Sequence, residues 1–332
     1  MSADRKKILL FVAFLTCLVL VSAVLFNIDK IVDSFNNNGF DDGDGSNINF
    51  DLYSVNIDGE VYMPRRNVRN YLIMGIDEFG DTDQGGIAQA DFIVVLSFDS
   101  NNDTYTMIQV NRDTMTEVDF YSYSDGSVYT QVAQIALSHA DGTYKAISNN
   151  KKCESTAKAV SNLLYGVRFD GYVSMTMDAV KAIVDYIGGV PVFMDEDMTE
   201  IDARLVQGST VTFDGELALS FIRARGGLAD SSNIARMKRQ KVFLDAFVGK
   251  LDEINMSDDE LAACFNRTSS YMVAKNGVDT FYDIFEKIST HQCSGMMDLP
   301  GEAVKGDKYI EFYVDENGLK GIVKDVFFER FE

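Results

Sequence analysis

Three apolar runs in close succession limit what this chain can fold into more than any other feature. Tyr71 to Ile76 reads Y-L-I-M-G-I and is closed by Asp77. Phe92 to Phe98 reads F-I-V-V-L-S-F and follows directly on Asp91. After the turn signal Asp99-Ser-Asn-Asn-Asp103, Thr104 to Val110 alternates apolar and polar side chains and ends at Asn111-Arg112-Asp113. Short apolar, β-branched runs bounded by turn residues are buried strands. If the first two are antiparallel and the third runs back again, Asp77, Asp91 and the Asn111-Arg112-Asp113 end share one edge of a sheet. Two carboxylates beside an arginine form a site for a hard cation and a phosphate, because Mg²⁺ takes a few carboxylate oxygens and completes its shell with phosphate oxygens and water.

Later segments carry helical periodicity: about 129–140, 153–165, 174–188, 214–224 and 233–251. Val190 to Met194 reads as a short strand, Tyr309 to Val314 as another, and Leu319 to Phe328 as a closing helix. Strands interleaved with helices predict a layered α/β domain, three layers α-β-α around a mixed central sheet.

The first thirty residues stand apart. Arg5, Lys6 and Lys7 precede Ile8 to Ile28, a stretch without charge, before Asp29 and Lys30. At 1.5 Å per residue such a helix spans the roughly 30 Å hydrocarbon layer. A cleaved signal peptide has an apolar region of about 7–15 residues and a small-x-small site, which Ser22-Ala-Val-Leu25 matches poorly. The expectation is a retained single-pass anchor with residues 1–7 in the cytoplasm and the rest outside. Residues 29–66, rich in Asn, Asp and Gly, follow as a flexible stalk. The D-x-D-G run within it lacks the spacing and distal Glu of a calcium loop. A catalytic or binding domain at 67–250 is expected next, then a C-terminal extension, 251–332, packed on it.

Charge narrows the partners. The chain has a formal net charge of −21, which repels nucleic acid from most of its surface. Against that background, residues 223–241 hold Arg223, Arg225, Arg236, Lys238, Arg239 and Lys241, with Asp230 as their only acid. A mainly arginine patch on an acidic protein suits a compact, multiply charged anion gripped through paired N–H donors. Ser231, Ser232 or Asn233 can cap a helix here, which sets Arg236, Arg239 and Gln240 at i, i+3 and i+4. His139 follows an apolar stretch and reads as a hydrogen-bonded structural histidine. Nothing in the chain has Cys/His metal spacing, a nucleophile elbow or a phosphate-binding glycine loop. Of the cysteines beyond Cys17, separation alone favours Cys264 and Cys293 as disulfide partners. Asn102 and Asn266 sit in glycosylation-type triplets.

In order and spacing, L72-I-M-G-I-D77, Q89-A-D91-F-I-V-V-L, V110-N-R-D-T114, L137-S-H-A-D-G142, V184-D-Y-I-G-G-V-P-V192, F221-I-R-A-R225 and R236-M-K-R-Q240 resemble the LytR-CpsA-Psr family of envelope enzymes, over roughly residues 68–250. The resemblance implies that Asp77 and Asp91 hold Mg²⁺. It implies that Arg112, Arg223, Arg225, Arg236 and Gln240 hold the pyrophosphate of a polyprenyl-pyrophosphate-linked glycan, with the lipid in an apolar pocket between sheet and helices. A peptidoglycan hydroxyl would then attack the sugar-proximal phosphorus, on the outer face of a bacterial membrane. The chain departs from the family at Phe79, where an arginine is common, and at Asn233, where an acid is. Asp230 or Asp113 is then the candidate base. A non-catalytic binder of lipid-linked or wall-bound polyanions, and a hydrolase in which water replaces the acceptor, are the alternative functions.

Overall fold

The computed structural model describes residues 54–76, 89–122, 124–140, 148–224, 232–254 and 256–331. The expected anchor at 8–28, most of the stalk, and Asp77, Phe79, Arg225, Asp230 and Ser231 lie outside them. Among the described residues no helix is long and apolar enough to cross a membrane.

The described residues open with β1 (Val55–Ile57), β2 (Glu60–Pro64), β3 (Val68–Ile76), β4 (Ala90–Asp99) and β5 (Thr104–Val110). The hairpin β6 (Met115–Tyr121) and β7 (Val128–Gln134) follows. Next come α1 (Leu137–Ala140), α2 (Asn149–Leu163), β8 (Gly171–Thr176), α3 (Met177–Tyr186), β9 (Val190–Phe193), β10 (Thr210–Phe213), α4 (Gly215–Arg223) and α5 (Asn233–Glu253). The last part holds α6 (Asp258–Thr268), β11 (Met272–Ala274), α7 (Val278–Thr290), β12 (Gln292–Asp298), β13 (Gly301–Lys305), β14 (Ile310–Val314), α8 (Glu316–Val326) and β15 (Phe328–Arg330).

Six strands form the central sheet in the order β11-β8-β3-β4-β5-β12. The pairs β3–β4 and β4–β5 are antiparallel, whereas β3–β8 and β5–β12 are parallel, so the sheet is mixed. Alternation along the strands sorts the core. Leu72, Met74, Ile93, Val95, Ile108 and Val110 point to one face, against Val160 of α2 and Leu319 and Val323 of α8. Tyr71, Val94, Leu96, Tyr105 and Met107 point to the other, against Ile183 of α3, Val248 of α5, Leu261 of α6 and Phe281 of α7. A third cluster joins the β9–β10 hairpin to α4 and α5 through Val190, Phe213, Phe221 and Phe243.

Two expected helices are corrected. Residues 128–134 are a strand, not part of a helix over 129–140, and only Leu137–Ala140 is helical. Val128-Tyr-Thr-Gln-Val is β-branched and aromatic, and its backbone pairs with β6 from Met115↔Gln134 to Tyr121↔Val128, which outweighs the apparent helical period. The segment 174–188 starts as β8, because Tyr71↔Gly171 to Ile76↔Thr176 pair in parallel, and turns helical only at Met177. The Cys264–Cys293 disulfide is not formed. Cys264 is buried on α6 as a small hydrophobe among Leu261 and Phe281, and burial pushes its thiol up to about 11.

Candidate active site

Asp91 sits in an irregularity of the sheet. Gly75 pairs with Phe92 and Ile76 with Ala90, so the ladder passes over Asp91. A bulge of this kind frees one residue from the alternation and re-aims its side chain. Ala90 stays in the core below the sheet, Phe92 faces the other side, and the Asp91 carboxylate is left at the strand end.

Two arginines from distant parts of the chain meet it there. Arg112, two residues beyond β5, donates from Nη1 to Asp91 Oδ1 and from Nη2 to Gln89 Oε1. Arg236, in the first turns of α5, donates from Nη1 to Asp91 Oδ2 at 3.2 Å and from Nη2 to the Asp91 carbonyl at 3.4 Å. All three side chains are largely withdrawn from water, 16% exposed for Asp91, 15% for Arg112 and 5% for Arg236. Asp113 lies beside Arg112, with Oδ1 at 3.6 Å from Nε, and accepts from Gln134 Nε2 at 3.0 Å. Helix α5 begins at this edge because Ser232 caps it, its side chain accepting from the Ala235 N–H, and no acid occupies its first turn. The positive end of the helix therefore adds to the cationic character of the edge.

Behind this edge lies a cavity of about 470 Å³ between the sheet and helices α3, α4 and α5. One stripe of α5 lines it, running from Arg236 and Gln240 to Phe243, Leu244 and Phe247. Residues at this spacing share a face of a helix, so the wall passes from charged to apolar along the helix axis. Ile73, Gly75 and Phe92 form the floor, and Met175, Val180 and Ile183 the far wall. Arg223 ends α4 at the same cavity. The described lining residues include three guanidiniums and one carboxylate. The space suits an amphiphile with an anionic head and an apolar tail.

The structure thus gathers Asp91, Arg112, Asp113, Arg223, Arg236 and Gln240. Asp77 would follow Ile76, whose strand partner is Ala90, but it lies outside the described residues, as do Arg225 and Asp230. Arg239 is placed elsewhere: it is buried, and it donates to the carbonyls of Phe221 and Ala224 at the end of α4. At about 100° per residue, position 239 is turned about 60° from Arg236, towards α4 and away from the cavity. His139 is buried beside Cys153, with Nε2 at 3.8 Å from Sγ.

Several amides of this edge carry no obvious signal in sequence. Gln89 holds Arg112, Gln134 holds Asp113, and Gln109 donates to Gln240 at 3.1 Å in the buried floor. Asn233 donates to Asn111 Oδ1 and accepts from Arg236, both at 2.7 Å. The one available hint is that Gln89, Asn111, Gln134 and Asn233 fall at or beside the ends of strands and helices.

The sequence profile of the LytR_cpsA_psr family matches residues 41–325. The polyisoprenyl-teichoic acid–peptidoglycan teichoic acid transferase TagU of Bacillus subtilis (strain 168) is 24% identical over 275 residues, covering 81% of this chain and 80% of that protein. TagV of the same strain, also so described, is 25% identical over 202 residues, 59% of this chain, and the match spans about half (47%) of that protein's length. Among solved structures, TagT bound to LIIa-WTA superimposes with a TM-score of 0.59 at 22% identity, over 79% of this chain and 90% of that one. The crystal structure of B. subtilis TagV gives 0.58 at 20% identity, over 79% and 96%. At these identities the superpositions establish the fold.

Proposed function

The chain belongs to the LytR-CpsA-Psr family, and on that premise we propose that it transfers a glycopolymer from a polyprenyl-pyrophosphate carrier to a hydroxyl of peptidoglycan. The observation that carries this function is the cavity itself. Its charged end holds Asp91 between Arg112 and Arg236, with Arg223 and Gln240 also lining it, and the remaining lining residues are apolar. A pyrophosphate fits the first part and a polyprenyl chain the second. The names of TagU and TagV, transferases acting between a polyisoprenyl carrier and peptidoglycan, support the same assignment.

The residues divide the work of phosphoryl transfer. Arg112, Arg223 and Arg236 hold the pyrophosphate oxygens and neutralise charge that grows on the leaving phosphate, the main task of a protein in this chemistry. The acceptor hydroxyl attacks the sugar-proximal phosphorus. A new P–O bond forms, the bridging P–O bond breaks, and polyprenyl phosphate departs with the bond's electron pair. Asp113, held by Gln134 beside Arg112, is the described carboxylate we assign to take the hydroxyl proton. Each Asp91 oxygen meets one guanidinium and keeps a lone pair, so this carboxylate fits a magnesium site completed by phosphate and water. Asp91, joined by Asp77 as the resemblance implies, would hold the ion, which supplies further charge neutralisation. Residues 8–28 would anchor the chain in a bacterial cell membrane, with the three-layer domain on the outer side.

The test uses the full chain in detergent with a polyprenyl-pyrophosphate-linked sugar, peptidoglycan fragments, and either magnesium or chelator. Magnesium-dependent release of polyprenyl phosphate, coupled to labelling of the fragment, is expected. Release into water with no labelled fragment would replace the transferase by a hydrolase. Tight binding without release would leave a binding protein.

A further inference from the structure

We infer that Asn233 is a positioning residue, one that fixes Arg236 opposite Arg112 through an amide bridge to Asn111. The inference rests on the assignment of this edge as a pyrophosphate grip, and it concerns a position where the chain departs from the acid seen in the resembled family.

The orientation of the bridge follows from groups that can only donate. Asn111 Oδ1 accepts from the backbone N–H of Asp113 at 2.9 Å, so the oxygen of this amide is fixed. The same oxygen accepts from Asn233 Nδ2 at 2.7 Å. Asn233 must therefore turn its own oxygen the other way, and it meets Arg236 Nη2 at 2.7 Å. A guanidinium has no acceptor, so this end is settled too. Position 233 has to donate at one end and accept at the other. Alanine or serine would not span the gap, and aspartate would set a second acceptor against Asn111 Oδ1. The helix does not need Asn233 as its cap, because Ser232 fills that place.

The bridge joins the end of β5 to the start of α5, residues 122 positions apart. Its bond to Arg236 is made at Nη2, whereas the Asp91 carboxylate meets Nη1. When a pyrophosphate takes over donors that now face the Asp91 carboxylate, the guanidinium keeps its plane and position. The amide also withholds a negative charge that an acid at 233 would set against the ligand.

The experiment is titration of the full chain in detergent with inorganic pyrophosphate, for wild type, N111A, N233A, N233D and the doubles N111A/N233A and N111A/N233D, each with its Tm. Loss of the bridge that orients this charged group should weaken pyrophosphate about tenfold in N111A and in N233A. The double N111A/N233A should bind no worse than the weaker single variant within about twofold, because both remove one bridge. N233D should bind no better than N233A, and its penalty should shrink in the N111A background, where the opposing oxygen is gone. Aspartate is favourable in the first turn of a helix, so a loss of affinity in N233D at unchanged Tm does not come from a melted α5.

Single effects that multiply in N111A/N233A, wild-type affinity in N233D, or an N233D penalty that is the same without Asn111 would each overturn the inference. Release of polyprenyl phosphate is scored separately. Bridge-dependent pyrophosphate binding with no release in wild type would remove the transferase and leave the bridge, whereas absence of pyrophosphate binding in wild type would remove both.

Discussion

Asp91→Asn separates an electrostatic role for this carboxylate from a merely packed one. The substitution keeps the volume but removes the charge that two guanidiniums face. Arg112 approaches one oxygen and Arg236 the other, the latter at 3.2 Å, and all three side chains are at most 16% exposed. The asparagine oxygen can still serve one arginine, while its NH₂ confronts the other with a donor. Removing one partner of a buried ion pair costs about 3–5 kcal/mol, and the residual exposure argues for the lower end, about 3 kcal/mol. For a domain of this size each kcal/mol moves Tm by about 2–4 °C, so a fall of about 6–12 °C is expected. The assay is thermal unfolding of the full chain with chelator, with and without millimolar pyrophosphate. The two arginines left without a counter-anion should gain more from the added anion, so pyrophosphate should raise Tm more in the variant than in wild type. A Tm within about 2 °C of wild type, or the same pyrophosphate-induced rise in both proteins, would refute the electrostatic argument.

Other perturbations probe the parts around it. A Cβ at Gly75 would lie 2.9 Å from the Phe92 Cβ, so Gly75→Ala should displace Phe92 and reshape the cavity floor; weaker binding of a polyprenyl-linked substrate with unchanged inorganic pyrophosphate affinity would show it. Arg239→Ala should cost about 1–3 kcal/mol, measured by denaturant unfolding, because it leaves the carbonyls that end α4 unsatisfied, and Arg239→Lys should not restore the loss. The Asp245 side chain on α5 is exposed, yet desolvation by its packed neighbours still raises its pKa, with Lys241 opposing. A raised folded pKa means stability present below the ordinary value of 3.8 and lost as pH rises through the folded value. Solvent screening keeps the effect small at this exposed position, so Asp245→Asn should raise Tm only slightly at neutral pH, and the gain should vanish in acid where the carboxyl is protonated in both states.

Much of the central sheet was legible because burial leaves a local trace. The runs ending at Ile76 and Phe98 and the alternation of 104–110 correspond to β3, β4 and β5, and their antiparallel order puts Asp91 and Arg112 at one edge. The helix bearing Arg236 and Gln240 was legible from the same kind of pattern. Helices α6 and α7 and the strand character of 128–134 were not, since short amphipathic segments fit either period until a partner strand or a core is supplied.

By itself, then, the sequence determines which segments are buried, which ends carry charge, and that acid and arginine can meet at a sheet edge. Tertiary structure alone decides the bulge that frees Asp91, the closure of the cavity by one face of α5, the turning of Arg239 to the end of α4, and the amide bridge from Asn111 to Arg236. The reason is one of range. Periodicity and propensity record how each residue meets its near neighbours and the core, within a few positions. The bonds that build the site join residues 145 positions apart for Arg236 and Asp91 and 122 apart for Asn233 and Asn111, and a donor's partner at that distance exists only once the sheet and helices have packed.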